Sequence, residues 1–195
     1  MKTLSNLLLI IVIVGGSILA CKKDAVDPAA DCSTTQNRDM EGFFNTLNSS
    51  STYFIYENMD LATHEYNFTT SVDLQICGFG YISQDPNLNY EIKITDSNNN
   101  TVYSGTFSFD NSAYDYVGIP PLTLSAGTYT LSRTVINPSS PNDALGPITR
   151  RSDFMDMDFP KTLGNITFNS SKFYGGGGPV LDYGIPNIYF EYIEL

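Results

Sequence analysis

His64 is the only imidazole in this 195-residue chain, so any Ser-His-Asp or Cys-His arrangement would have to use it. No nucleophile elbow, HExxH, P-loop or GxGxxG motif accompanies it. We expect His64 to lie exposed, or at a cap, ahead of the first clear strand. The glycine run 175–178 precedes Pro179 and predicts a flexible hairpin rather than a phosphate-binding loop. These features predict a protein that is not an enzyme and that needs no cofactor.

Carboxylates are the other groups that could serve as acid, base or metal ligand, since the chain has 21 Asp and Glu residues. Their number leaves open an envelope glycan hydrolase that uses paired carboxylates in segment 137–164. The same segment holds Asp153, Asp156 and Asp158, which are weak candidates for a calcium site. We favour a solvated loop for these three side chains and predict no metal site.

Tyrosine and phenylalanine supply all the aromatic rings, with 13 Tyr, 12 Phe and no Trp. Aromatic platforms are a common device for binding sugars, but most of these rings are expected to pack in the core or on strand faces. Four tyrosines lie near predicted loops or strand ends and are candidates for ligand binding: Tyr114, Tyr116, Tyr174 and Tyr183.

Cys32 and Cys77 leave two alternatives open. They could form a disulfide that pins the polar leader to a predicted strand, or they could be two unpaired thiols with Cys77 buried. Without a CxxC motif, and with a single His, they do not predict a zinc site.

Residues 1–20 predict a secretory signal peptide: Lys2 is followed by the apolar run 7–14 and then by small residues. That run is shorter than the roughly 20 residues of a transmembrane span. Residues 18–21, ILAC, resemble a bacterial lipobox, which implies that Cys21 becomes the first residue and carries fatty acyl chains such as palmitate. The alternative is an ordinary signal peptide that ends near a cysteine.

The CKKD sequence at 21–24 resembles the start of lipoproteins from the Bacteroidota. The resemblance implies a lipid-anchored protein of the bacterial outer membrane, with the cell surface favoured over the periplasmic side. Removing residues 1–20 leaves 9 basic and 21 acidic side chains, a net charge of -12. This charge argues against a nucleic-acid partner, because phosphate binding needs clustered Lys and Arg.

The remaining chain divides into a polar tether at 21–38 and one domain at 39–195. Apolar residues at 40, 43, 44 and 47 predict one short helix. From Tyr53 onward, apolar and polar residues alternate in short segments separated by turn signals, which predicts an all-β antiparallel sandwich or jelly roll. We expect strands with one buried and one solvated face. Segment 187–193, apolar on nearly both faces, predicts a central strand, and the proline-rich segment 137–164 predicts a long loop.

Several short motifs resemble the PHR domain, a β-sandwich that binds other proteins. They occur in the expected order across residues 66–193: Phe68, the ICGFGY strand at 76–81, the strand 90–94, the strand 121–124, the GTY at 127–129, and the GIP at 184–186. The resemblance implies a β-sandwich. PHR domains act inside animal cells, whereas the signal peptide and lipobox predict a bacterial lipoprotein, so we do not expect their cellular role here.

Together these features predict an outer-membrane lipoprotein that presents a β-sandwich binding module for a protein or a glycan. The hydrolase above, and a structural accessory subunit of a surface complex, are the alternatives.

Overall fold

The computed structural model describes Cys32 and residues 38–195. The predicted signal peptide, Cys21 and most of the tether lie outside these residues. These residues contain one α-helix and thirteen strands, and the strands form three antiparallel sheets. This architecture confirms the all-β sandwich with one short helix. No helix of the described part of the chain is long and apolar enough to cross a membrane.

Helix α1 (Asp39–Asn48) precedes the strands. The strands are β1 (Tyr53–Met59), β2 (Thr63–Thr70), β3 (Leu74–Tyr81), β4 (Asn89–Asp96), β5 (Thr101–Phe107), β6 (Asp115–Leu124), β7 (Gly127–Ile136), β8 (Gly146–Arg151), β9 (Lys161–Leu163), β10 (Ile166–Tyr174), β11 (Val180–Leu181), β12 (Ile185–Pro186) and β13 (Tyr189–Glu194). A 3-10 helix spans Pro141–Ala144.

The seven-stranded sheet has the order β11-β10-β2-β7-β4-β5, with β9 also paired to β10. The sheet β13-β3-β6 packs against its inner face through aromatic rings. The ring centroids of Phe68 and Phe190 are 5.4 Å apart, and those of Tyr81 and Tyr90 are 5.2 Å apart. The third sheet, β1-β8-β12, contributes Ile185 to the same core. The outer faces of the seven-stranded sheet and of the β13-β3-β6 sheet therefore lie on opposite sides of the molecule.

Helix α1 forms where the spacing of its apolar residues predicted it. Met40 and Phe44 are fully buried, and the Phe43 ring stacks on Phe168 with centroids 5.3 Å apart. Asp39 and Glu41 lie in the first turn, where negative charge interacts favourably with the helix dipole. The helix therefore contributes one apolar face to the core.

The predicted alternation of buried and solvated residues holds in β4 but is wrong in β3. In β4, Tyr90, Ile92 and Ile94 are buried and their neighbours are more exposed. Every residue of β3 is buried. Strand β3 is the middle strand of its sheet, and side chains from other segments cover its outer face.

Strand β13 is at the edge of its sheet, so the prediction of a central position is wrong. Its first four residues are nevertheless buried. Helix α1 covers the strand, and the Phe190 backbone N–H donates to the Met40 sulfur at 3.3 Å. A helix that covers an edge strand protects it from pairing with another chain. The apolar residues on both faces of β13 are therefore explained by this cover and not by a central position.

Segment 137–164 is not the long loop that its prolines predicted. Strand β8 lies between β1 and β12, and its first five residues are buried. Ser140 caps the 3-10 helix, and β9 pairs with β10. Pro147 lies inside β8, which concealed this strand in the sequence.

Candidate functional site

The outer face of the seven-stranded sheet carries polar side chains that align across five strands. Residues opposite one another in the ladder share a face, so the pairings define rows that run across the sheet. The middle row consists of Lys172 (β10), Glu65 (β2), Ser132 (β7), Lys93 (β4) and Ser104 (β5). All five side chains can form hydrogen bonds.

Polar rows flank this middle row on both sides. One flanking row contains Tyr174, Thr63, Thr134, Glu91 and Thr106; the other contains Ser170, Asn67, Thr130, Thr95 and Thr101. The inner face of the same strands carries the core residues, because side chains alternate between the two faces.

Two depressions on this face, of about 340 Å³ and about 320 Å³, share Glu65, Thr130 and Lys172. They are therefore parts of one concave surface, which we call the sheet groove. Its lining comprises Glu65, Asn67, Glu91, Lys93, Thr95, Asn99, Thr130, Ser132, Thr134, Ser170, Ser171, Lys172, Tyr174, Leu181 and Asp182.

Tyr174 is held in place at one end of the sheet groove. Its hydroxyl donates to Glu65 Oε2 at 3.0 Å, and Lys172 Nζ lies 4.5 Å from the ring centroid. Lys172 Nζ also lies 3.8 Å from Glu65 Oε1. Burial, together with the Glu65 carboxylate, raises the pKa of Tyr174 to about 12. The phenol is therefore protonated at neutral pH, and its ring has a fixed position before any ligand arrives.

Further hydrogen bonds order the rest of the groove. Ser104 Oγ donates to Glu91 Oε1 at 2.8 Å, and the hydroxyls of Thr63 and Thr134 are 2.9 Å apart. Three acidic residues and two lysines line the surface, so its formal charge is only -1. The groove is polar and pre-ordered without a strong charge of either sign.

Of the four tyrosines predicted to bind ligand, only Tyr174 lies in the sheet groove. Tyr114 stacks on Tyr189 with centroids 4.5 Å apart, and its hydroxyl accepts from Asn187 Nδ2 at 3.2 Å. The Tyr116 ring lies 4.4 Å from the guanidinium carbon of Arg38. Both belong to the β13-β3-β6 side of the molecule, so the structure does not bring the four together.

Tyr183 lines a separate depression of about 630 Å³ that includes Leu61, Val180 and the glycines at 176–178. The Arg150 guanidinium carbon lies 3.2 Å from the Tyr183 ring centroid and 4.7 Å from that of Phe154. Arg150 thus covers one face of the Tyr183 ring, as Lys172 covers one face of the Tyr174 ring.

The three aspartates proposed as weak calcium ligands are not assembled into a metal site. Asp153 pairs with Arg151, whose Nε donates to Oδ1 at 3.0 Å. Asp158 accepts from the Tyr53 hydroxyl at 2.7 Å and pairs with Lys161 at 2.8 Å. Among the described residues, no group of three or more His, Cys, Asp or Glu side chains could hold a metal ion. Asp153 and Asp158 are therefore paired with cationic side chains of the same chain.

The two cysteines that the sequence left undecided form a disulfide between Cys32 and Cys77. Cys77 lies at a bulge in β3, where the register against both neighbouring strands shifts. The bond closes a loop of 45 residues and attaches the N-terminal segment to the middle of the β13-β3-β6 sheet.

His64 is fully buried on β2, so the expectation of an exposed or capping position is wrong. Arg133 Nη2 lies 3.1 Å from His64 Nδ1. Because a guanidinium only donates, Nδ1 must accept, and the neutral ring carries its proton on Nε2. Burial, reinforced by the charge of Arg133, holds the pKa of His64 well below its usual value of 6.5. The residue is a neutral core histidine with no nucleophile among these contacts.

This histidine makes stability depend on pH in a defined direction. The unfolded chain gains the His64 proton near pH 6.5, whereas the folded chain resists it, so stability is full above pH 6.5 and falls as the pH drops below it. Between pH 6.5 and 5 we expect a loss of at most about 1.4 kcal/mol per pH unit from this group. Urea unfolding of the wild type and of His64→Gln at several pH values measures how the free energy of unfolding depends on pH. If it falls equally steeply with falling pH in both proteins, His64 is not the buried neutral group that causes the dependence.

Comparisons with known proteins do not assign this chain to a family. No protein-family model matches the sequence. No curated protein matches it either. The function must therefore be argued from the sheet groove itself.

Proposed function

We propose that this protein is a lipid-anchored β-sandwich module that binds a glycan in the sheet groove. The observation that carries the proposal is the continuous polar surface across five strands, with Tyr174 fixed at one end. It combines the two kinds of contact that a sugar needs.

Sugars present hydroxyl groups at their edges and C–H groups on their faces. The middle row offers both donors and acceptors at neighbouring positions, since Lys93 and Lys172 donate, Glu65 accepts, and Ser132 and Ser104 do either. Lys172 covers one face of the Tyr174 ring, and the other face of this ring would contact a C–H face of the sugar. Because these side chains are already ordered by mutual hydrogen bonds, less conformational entropy is lost when a ligand binds.

The charge of the groove favours a neutral ligand over an ionic one. Three carboxylates and two ammonium groups nearly balance. A polyanion would be repelled by the net charge of the whole chain, which is -11. A neutral or weakly charged oligosaccharide fits this balance best.

The proposed role is binding without hydrolysis. Glu65 holds Tyr174 and Lys172, and Glu91 holds Ser104. These contacts use the two glutamates as anchors of the hydrogen-bonding surface. A bound oligosaccharide should therefore be recovered uncleaved, and release of shorter sugars would favour the hydrolase instead.

Anchoring of the module is part of the proposal and rests on Cys21. A multiply acylated cysteine would hold the domain on the outer membrane, because each buried CH₂ contributes roughly 0.8 kcal/mol. Cys21→Ser is expected to move the protein from the membrane to the soluble fraction. Membrane attachment that persists in this variant would refute lipidation.

A glycan array probed with the 22–195 fragment tests the proposed ligand class. We expect Tyr174→Ala and Lys93→Ala to weaken binding to the best glycan by roughly tenfold or more, which corresponds to about 1.4 kcal/mol. Tyr174→Phe keeps the ring and should retain most of the affinity. Thr123→Ala, at an exposed position outside the groove, is the matched control and should change nothing.

A protein ligand is the second candidate, because Phe154 and Met155 are adjacent and 57% and 63% exposed. Exposed apolar patches mark protein interaction sites. Binding to a protein that is lost in Phe154→Ser but kept in Tyr174→Ala would support this alternative. If the 22–195 fragment binds no glycan on the array and no protein in a pull-down, a structural accessory role would be favoured.

A further inference from the structure

Cys32 and Arg38 contact the outer face of the β13-β3-β6 sheet. Cys32 is bonded to Cys77 and accepts from Gln75 Nε2 at 3.3 Å. Arg38 forms an ion pair with Glu191, which is only 3% exposed. We call this surface the tether face, defined by Cys32, Arg38, Tyr116 and Glu191.

Two glycines of β3 give these side chains room to lie flat on the sheet. A Cβ atom at Gly80 would lie 2.5 Å from the Tyr116 ring, and one at Gly78 would lie 3.1 Å from Glu191 Oε2. Arg38 then stacks on Tyr116, whose hydroxyl donates to Glu41 Oε2 at 3.0 Å. The two glycines of the Gly-Phe-Gly sequence at 78–80 thus leave the space that the side chains of Tyr116 and Glu191 occupy, and these two side chains contact Arg38.

The tether face and the sheet groove lie on opposite outer faces of the sandwich. In β3, Gln75 pairs with Thr123 on the outside, while Leu74 and Ile76 belong to the core. In the seven-stranded sheet, Tyr66 and Leu131 belong to the core, while Glu65 and Ser132 point outward. The chain therefore joins the domain on the side away from the groove.

The length of chain between the anchor and the disulfide limits how the domain can turn. Ten residues lie between Cys21 and Cys32, and the chain from one cysteine to the other extends to at most about 40 Å. The way from the tether face around an edge of the sandwich to the groove side must pass two sheets about 10 Å apart together with their outer side chains, and it is roughly 30 Å or more. A random coil of this length has a root-mean-square span of about 18 Å, so stretching it around the domain to let the opposite face lie on the membrane costs conformational entropy.

We infer that the Cys32–Cys77 disulfide and the Arg38 contacts orient the module on the membrane, with the tether face toward the lipid surface and the sheet groove away from it. This inference rests on the proposed lipidation of Cys21. Opening the disulfide would move the first point of attachment to Arg38, and the 16 residues between Cys21 and Arg38 allow a maximal distance of about 60 Å. The groove could then reach the lipid surface at a lower entropic cost.

Energy transfer from the protein to a lipid-headgroup acceptor tests the orientation. The full-length lipoprotein, purified from membranes and reconstituted in vesicles, would carry a donor introduced through a non-natural amino acid at Thr123 or at Thr106. Both positions are exposed, Thr123 on the tether face and Thr106 on the groove side. We expect at least roughly twofold more transfer from position 123, because two sheets about 10 Å apart, with their outer side chains, separate the labels.

Two variants complete the test. The double substitution Cys32→Ser/Cys77→Ser should reduce the difference between the two labels. An insertion of about 20 Gly and Ser residues between Cys21 and Cys32 should reduce it too, without disturbing the folded domain. Equal transfer from both positions in the unmodified lipoprotein, or more from position 106, would overturn the orientation alone. Failure of the protein to float with vesicles would overturn the proposed anchoring and this inference together.

Discussion

A chain that ends at Gly184 is expected not to fold. The deletion removes β12 and β13, and with them Ile185, Ile188, Tyr189, Phe190 and Tyr192, which are all at most 2% exposed. Burial of each such side chain contributes roughly 1.5–3 kcal/mol. Their combined loss is comparable to the whole stability of a typical domain, about 5–15 kcal/mol.

The truncation also exposes surfaces that other elements bury. Strand β3 loses one of its two partners, and helix α1 loses the strand whose edge it covers. We expect rapid proteolysis and no cooperative melting transition. A chain ending at Glu194, which lacks only the exposed Leu195, is the control and should melt like the wild type. A cooperative transition in the shorter chain would show that the C-terminal strand is dispensable.

Arg133→Ala is expected to cost about 3–5 kcal/mol of stability, the largest effect of any single substitution considered. The side chain of Arg133 is fully buried. Its guanidinium donates to the carbonyls of Ala144 at 3.2 Å and Leu145 at 3.5 Å. Alanine would leave these two carbonyl acceptors unpaired, and it would also create a cavity.

The surroundings of Arg133 explain how a buried cation is tolerated. The rings of Tyr81 and Tyr90 lie 5.1 Å from its guanidinium carbon, where their negative faces stabilise the charge. Gly146 leaves the space, since a Cβ there would lie 2.1 Å from Nη2. Among the described residues no carboxylate forms an ion pair with it.

Urea unfolding measures this cost, and Arg151→Ala is the matched control. Arg151 is partly exposed and pairs with the exposed Asp153, so its loss should change stability by no more than about 1 kcal/mol. Arg133→Met, which keeps most of the volume but not the donors, should fall between the two. If Arg133→Ala and Arg151→Ala cost the same, the buried cation is not a structural element of the core.

Local sequence patterns predicted the elements whose structure is decided by nearby residues. The spacing of Met40, Phe43, Phe44 and Leu47 fixed one apolar face, and a helix follows from it. The alternation around Ile92 did the same for β4. In both elements, the buried apolar side chains that define the pattern lie within about two helical turns, or within four residues of a strand, of one another.

The sheet groove could not be predicted, because strand register brings its residues together. Lys172 and Glu65 are 107 positions apart in the chain, yet they are opposite in the ladder. The edge position of β13 was missed for a related reason, since helix α1 covers it from the other end of the sequence. Arg133 did leave a local signal, because it occupies the inward position between Leu131 and Val135 in the alternation of β7.

The location of the bound ligand tests the central claim most directly. The 22–195 fragment, labelled for amide NMR, would be titrated with the glycan that the array selects. We predict that the perturbed amides lie on β10, β2, β7 and β4 around Glu65, Ser132 and Lys93, and that Tyr174→Ala weakens these changes. Perturbations confined to the β13-β3-β6 sheet, or changes that Tyr174→Ala leaves unaltered, would contradict binding in the sheet groove.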